Sequence, residues 1–298
     1  MPPRRRLALP LLTAVLLTAS LAGCGGSDRP AAVATGDVPT MPETTASPIE
    51  EIPGQPTAAA TALPVTFAPG RATPSNRGSG SPRPALTPPA ALAGQEWTRL
   101  PTSRAVVALT FDGGGNDAGV ASILATLAQQ HVLATFFLTG RWAQVYPAEA
   151  RRIAAAHAVG NHTQTHPHLT GLSDAAVAAE VTDAEQTLQA ATGRTPRPLF
   201  RFPYGDSDQR VLDDLHRLGY GGIRWTIDTL GWQGRGAGQS ADTVVARAVG
   251  AATAGEIVLM HVGSAQDGST LDADALPRVI ADLRAAGYSF ATVAEFTG

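Results

Sequence analysis

Two histidines four residues apart, His162 and His166 in His-Thr-Gln-Thr-His, are the side chains best suited to chemistry in this chain, together with Asp112 in Thr-Phe-Asp about fifty residues upstream. Two imidazoles at that spacing can close on one divalent ion, and a carboxylate ending an apolar run can take a proton from water beside it. Arg201, Asp228 and His261 follow, each at the end of another apolar run. In a parallel α/β domain, catalytic side chains gather at the C-terminal ends of the strands. One polar residue at such a place is usually a turn former or a helix cap. Five of them, Asp112, His162, Arg201, Asp228 and His261, of types suited to one hydrolysis, are not readily explained as five separate caps. Ser173 and Ser240 lack a neighbouring His-Asp arrangement, which argues against a serine nucleophile. The chain contains no lysine, so a phosphate-cradling Gly-x-x-x-x-Gly-Lys loop is excluded.

The elements that must position these groups are read from periodicity. Strand-like runs fall at 105–111, 133–138, 159–162, 199–202, 222–227, 256–261 and 289–293. Helical spacing separates them, as in Val120-Ile123-Leu124-Leu127 and in Val177-Val181-Leu188, the latter preceded by Ser173 as N-cap and followed by Gly193 as its stop. Ser240 is placed to cap a helix carrying Val244, Val245 and Ala248. Seven strands alternating with helices predict an α/β fold with a parallel sheet, and pattern alone leaves open whether that sheet closes into a barrel.

Everything chemical lies in 97–298, about 200 residues, enough for one domain with a substantial core. Ahead of it, Arg4-Arg5-Arg6, a short apolar run from Leu7 to Leu21 and then Leu21-Ala22-Gly23-Cys24 resemble a bacterial lipoprotein signal over 1–23, with Cys24 the acylated residue. The run is shorter than the roughly 20 apolar residues that span a bilayer. Cys24 is the only cysteine, which rules out a disulfide framework and a cysteine zinc site. Residues 24–96 are rich in Pro, Ala, Thr, Gly and Ser and predict a disordered tether with a reach of roughly 45–50 Å. Without the signal, 19 arginines face 25 acidic residues, a formal charge of −6, which gives no broad electrostatic reason to bind nucleic acid. The expectation is an exported chain, lipid-anchored to the cell membrane, facing the cell wall and acting as a monomer.

The motifs in 105–296 resemble, in order, those of the polysaccharide deacetylase family, the NodB homology domain of carbohydrate esterase family 4. They are Thr110-Phe111-Asp112-Gly113-Gly114, His162-Thr163-Gln164-Thr165-His166, Arg201-Phe202-Pro203-Tyr204-Gly205, Asp228-Thr229-Leu230-Gly231-Trp232 and Leu259-Met260-His261. The resemblance implies a distorted (β/α) barrel of about seven parallel strands and a metal-dependent hydrolase, commonly a zinc enzyme, that removes acetyl groups from glycans. It implies His162 and His166 as metal ligands and Asp112 as the base held ionised by Arg201. The Tyr204 N–H would bind the oxyanion and His261 would be the general acid, with Asp228 raising its pKa. Leu259 and Trp232 would wall the acetyl pocket. Peptidoglycan N-acetylglucosamine or N-acetylmuramic acid is the expected substrate, with an O-acetyl xylan-type esterase or a catalytically impaired glycan-binding lipoprotein as alternatives.

Two positions depart from the family pattern. Gly113 stands where the family has its metal-binding aspartate, and Gly231 where the fourth motif has its second aspartate. A flexible Gly113-Gly114-Gly115 could swing Asn116 or Asp117 toward the ion, or water could take the vacated place. Asp117 equally suits an N-cap for the following helix. Trp225 reads as an internal aromatic, and Trp142, after Thr-Gly-Arg, as a loop residue able to line a glycan groove.

Overall fold

All eight residues of β2 (Val106–Gly113) are buried, as expected for a strand covered on both faces. Val107, Leu109 and Phe111 pack outward against helices, while Val106 and Ala108 belong to a separate inner cluster with Phe137, Ile223 and Ile257. Thr110 and Asp112 alternate with the outward set, so the strand's period of two aims Asp112 inward. This computed structural model describes residues 86–250 and 252–298. The lipoprotein signal, Cys24 and the tether up to residue 85 lie outside the described residues.

Around β2 the other strands are β1 (Glu96–Trp97), β3 (Thr135–Leu138), β4 (Ala158–Asn161), β5 (Leu199–Phe200), β6 (Gly221–Ile223), β7 (Ile227–Asp228), β8 (Glu256–His261) and β9 (Ser289–Phe290). They form one curled sheet in the order β1-β6-β5-β4-β3-β2-β8-β7, with β9 also on β2 and every pair parallel. The main helices are α1 (Val120–Gln129), α2 (Gly140–Val145), α3 (Pro147–Ala156), α4 (Asp174–Thr192), α5 (Gln209–Arg217), α6 (Ala241–Val249) and α7 (Leu271–Ala285). The barrel expectation is met as a curled, incompletely closed sheet of parallel strands with helices outside.

Capping chemistry sets several helix ends. The Ser173 hydroxyl accepts from the Ala176 N–H, Gly193 ends α4 in the left-handed region at φ 73°, and Ser240 forms a reciprocal capping box with Thr243. Asp117 does not cap α1, whose N-cap is Gly119.

The run 222–227, expected as one strand, is two strands near opposite ends of the sheet. The chain leaves β6 at Ile223 and joins β8 at Ile227. Between them Arg201 takes the carbonyls that a sheet neighbour would otherwise take: its Nε donates to Ile223 O at 3.2 Å and its Nη2 to Arg224 O at 3.1 Å. The gap is stitched by residues 86–99, so the domain begins ahead of the expected boundary at Trp97 and residues 86–96, expected in the tether, pack into it instead. Leu92 is buried, β1 pairs with β6, and Arg99 bridges to Glu256.

Glu256 sits fully buried at the N-terminal end of β8, the end opposite His261, and its Oε1 has no hydrogen-bond partner among the described residues. Burial pushes its pKa from 4.5 up to about 7, against the smaller opposing pull of the Thr253 N–H and Arg99. A folded-state pKa above the unfolded value means that this group favours folding fully below about pH 4.5. That contribution is lost as pH rises through about 7. Glu256→Gln is therefore expected to flatten the decline in unfolding free energy between pH 5 and 8. The difference, at most on the order of 3 kcal/mol, is measurable by denaturant titration.

Candidate active site

The C-terminal ends of β2, β4, β8 and β7 and the turn after β5 open onto a cavity of about 650 Å3, lined by Asp112, His162, His166, Tyr204, Asp228, Trp232, Leu259 and His261 among others. Most of the residues expected to work together are thus brought together. Asp117 is not on the cavity wall. Trp142 is not either, and the loop reading of it is corrected: it is buried in α2, its indole N–H donating to Asn116 O at 3.1 Å. Trp225 is half-buried, packing against the inner cluster while also reaching the cavity.

Asp112 and Arg201 form a buried pair, Nη1 to Oδ1 at 2.7 Å. The guanidinium is wholly buried, with its carbon 4.1 Å from the Phe137 ring centroid. Burial raises the Asp112 pKa, but Arg201, and after it His162 and His261, outweigh that and hold it below the ordinary carboxylate value. The carboxylate is kept ionised at the cavity wall.

The other carboxylate oxygen faces His162: Oδ2 lies 3.5 Å from Nε2. His162 Nδ1 is 2.8 Å from the Arg201 carbonyl, which can only accept, so Nδ1 carries the proton and Nε2 the free lone pair. His166 follows in a strained corner. Thr163 and His166 both have left-handed backbones, at φ 69° and 66°, pinned by Asn161 and by the Thr163 hydroxyl, which accepts from the His166 N–H at 3.0 Å. The two imidazole centroids are 4.8 Å apart, edge to face. Burial lowers the pKa of both rings, that of His166 to about 4, with His162 adding to the shift of His166. Both are therefore neutral near pH 7, the state in which imidazole binds metal.

Among the described residues no group of three or more His, Cys, Asp or Glu side chains is arranged as an ion site. The donor set is the imidazole pair beside Asp112, which suits a borderline divalent cation with its remaining positions left to water or substrate. Gly113 does not face this pair. A Cβ there would come 2.7 Å from Leu138 Cδ2 and 3.3 Å from Val262 Cγ2, inside the apolar layer. A Cβ at Gly114 would instead lie 3.7 Å from His166 Cδ2, on the cavity side. Asn116 is committed elsewhere: its Oδ1 accepts from the Ala118 and Ser264 N–H groups.

Tyr204 stands at the rim, 61% exposed, with a left-handed backbone at φ 60°. Its ring meets His166 edge-on at 4.6 Å and stacks on His168 at 4.0 Å, while His168 Nδ1 is 3.1 Å from Asp206 Oδ2. His168 thus supports the rim and adds no third ligand.

Opposite, Trp232 is 48% exposed and its ring lies 6.2 Å from that of His261, with buried Leu259 beside them on the wall. Asp228 braces this turn, its Oδ1 accepting from the Leu230 N–H at 2.9 Å and its Oδ2 facing the Trp232 indole N–H at 3.4 Å. The carboxylate near His261 is one the sequence did not suggest. Asp272, in the first turn of α7, has Oδ2 3.8 Å from His261 Nδ1. Burial lowers the His261 pKa, but Asp272 first, then Asp112 and lastly Asp228 outweigh it, leaving the net shift upward. Asp228 is the smallest of these contributions.

With this geometry in hand, comparison with known proteins is specific. The polysaccharide deacetylase family profile matches residues 99–223. A peptidoglycan-N-acetylglucosamine deacetylase of Bacillus cereus is 34% identical over 196 residues, covering 65% of this chain and 68% of the relative. The crystal structure of a peptidoglycan N-acetylglucosamine deacetylase superposes with a TM-score of 0.62 at 31% identity, covering 67% of this chain and 92% of that one. A CE4 family pseudoenzyme from Bacillus anthracis superposes with a TM-score of 0.63 at 28% identity, covering 70% of each chain.

Proposed function

The chain belongs to the polysaccharide deacetylase family, hydrolases of N-acetyl amide bonds, and from that premise we propose that it deacetylates N-acetylglucosamine or N-acetylmuramic acid units of peptidoglycan with a divalent cation, zinc first among candidates. The observation that carries the reading is the convergence of the Asp112–Arg201 pair, two neutral imidazoles and His261 on one cavity.

His162 and His166 would hold the cation, which when bound supplies a positive charge that polarises the amide carbonyl and eases deprotonation of water. Asp112, kept ionised by Arg201, takes the proton of the attacking water. The Tyr204 N–H stabilises the oxyanion. His261 protonates the departing nitrogen as the C–N bond breaks, leaving acetate and a free amine. Leu259 and Trp232 enclose the acetyl methyl.

We also propose that the chain is exported and held at the cell membrane by a lipid on Cys24, with the stretch from Cys24 to residue 85 as the tether, since 86–96 pack into the domain, and a monomer as the working unit. The signal motif and the glycan chemistry of the site support this reading. Globomycin-sensitive maturation and palmitate labelling lost in Cys24→Ala would establish it; labelling independent of Cys24 would end it.

Two observations favour a second reading, a domain that holds glycan without cleaving it: Gly113 stands where the family has a metal-binding aspartate, and a CE4 pseudoenzyme shares the fold. Acetate release from peptidoglycan, chitooligosaccharide and acetylated xylan separates the readings. Release from peptidoglycan that a chelator stops, zinc restores and His162→Ala abolishes together with bound metal is the expected result. Release confined to xylan would make the protein an O-acetyl esterase. Glycan binding without acetate from any of the three would establish the second reading.

A further inference from the structure

The family's fourth motif carries a second aspartate that this chain lacks at Gly231, and the space is not empty. A Cβ on Gly231 would come 2.3 Å from Asp272 Oδ1 and 2.7 Å from Asp272 Cγ. Two carboxylates cannot share that place. Asp272 enters it from α7, forty-one residues later in the chain, and is only 3% exposed.

Its contacts point to His261. Asp272 Oδ2 accepts the His261 backbone N–H at 2.8 Å, and Oδ1 accepts the hydroxyl of buried Thr229 at 2.7 Å. The same Oδ2 stands 3.8 Å from His261 Nδ1, a buried ring nitrogen with no hydrogen-bond partner among the described residues. No other carboxylate among them lies within 4 Å of a His261 ring nitrogen. Asp228, the sequence-based candidate, is engaged by Leu230 and Trp232.

We propose that Asp272 is the positioning residue for His261: the carboxylate has moved from motif position 231 to the first turn of α7, where it orients the ring and keeps the proton on Nδ1. Nε2 is then the nitrogen that exchanges a proton with the leaving group. The 3.8 Å separation closes to a hydrogen bond with a small rotation of the imidazole, as such contacts tighten when substrate is bound. This inference rests on the deacetylase reading for its catalytic meaning, but its geometry does not depend on activity.

The test moves the carboxylate. Asp272→Asn keeps one acceptor, for the His261 N–H, while its NH2 can donate to the Thr229 hydroxyl oxygen, whose own proton then goes to Leu259 O, and the charge is lost. It is expected to lower kcat about 10–100-fold with KM within about twofold, the usual scale for a supporting partner. Gly231→Asp alone should also lower kcat, because its side chain collides with Asp272. Gly231→Asp combined with Asp272→Ser should recover most of the loss, since one carboxylate again occupies the space. In parallel, 15N NMR of the His261 ring should show Nδ1 protonated in the wild type, and this signature should weaken in Asp272→Asn and return in the relocated double variant. An unchanged kcat in folded Asp272→Asn, a double variant that regains stability but not turnover, or a His261 ring indifferent to Asp272 would each overturn the proposal. If the wild type releases no acetate at all, the deacetylase reading fails on its own, and the NMR comparison still decides whether Asp272 orients His261.

Discussion

Asp112→Asn is expected to reduce acetate release by a factor on the order of 10²–10⁴ while leaving KM nearly unchanged and the protein folded. The amide is isosteric with the carboxylate, and its oxygen can still accept from Arg201 Nη1, so packing around the 2.7 Å contact survives. What disappears is, among the described residues, the only carboxylate seen against both Arg201 and His162. An amide cannot take a proton from water at neutral pH, so the loss falls on turnover. The Arg201 charge is not abandoned either, because Ile223 O, Arg224 O and the Phe137 and Trp225 rings still face it. Steady-state kinetics with a thermal melt of the same preparation make the comparison. Turnover persisting within a few-fold of wild type would remove Asp112 from the mechanism.

Arg201→Met should do the opposite kind of damage, lowering the free energy of unfolding by about 3–5 kcal/mol as well as removing activity. The substitution strands Asp112 as a buried, unpaired carboxylate and leaves the Ile223 and Arg224 carbonyls without their donor. Pairing it with Asp112→Leu tests the cause. If the stranded charge accounts for the loss, the double variant should regain a large part of the stability and none of the activity. Urea titration of the three variants measures this. A double variant no more stable than Arg201→Met would shift the explanation to the two carbonyls at the break between β6 and β7.

Asp112, His162, Arg201 and His261 were legible because each sits at the end of an apolar run, where a change of residue type stands out against β-formers, and His166 because it repeats the imidazole four residues on. The break after Ile223 was not, because Gly-Gly-Ile-Arg-Trp-Thr-Ile keeps strand-forming residues throughout. The interruption comes from Arg201, some twenty residues away in sequence. Trp142 was misplaced although a signal existed: Thr139 accepts the Trp142 N–H and starts α2, as a helix-capping threonine should. Asp272 could not be singled out, since an acidic residue in a helix's first turn is ordinary. Only the fold brings it to Thr229 and His261. The orientation of Gly113 was equally hidden, because whether a strand-end residue faces cavity or core depends on where the strand stops.

The stitch made by residues 86–99 has a mechanical consequence. Tension applied from the N-terminal side reaches β1 before any other strand, and β1 is held to β6 through only the pairs Glu96↔Gly222 and Trp97↔Ile223. The bridge from Leu86 to Leu218, and Leu92 lodged against Gly221, are met just before it, and the β-bridge from Arg99 to Glu256 just after. Yielding there would part the seam beside Arg201 while β2 to β5 kept their pairing, so a stretched domain would loosen its hold on the Asp112 carboxylate before it unravelled.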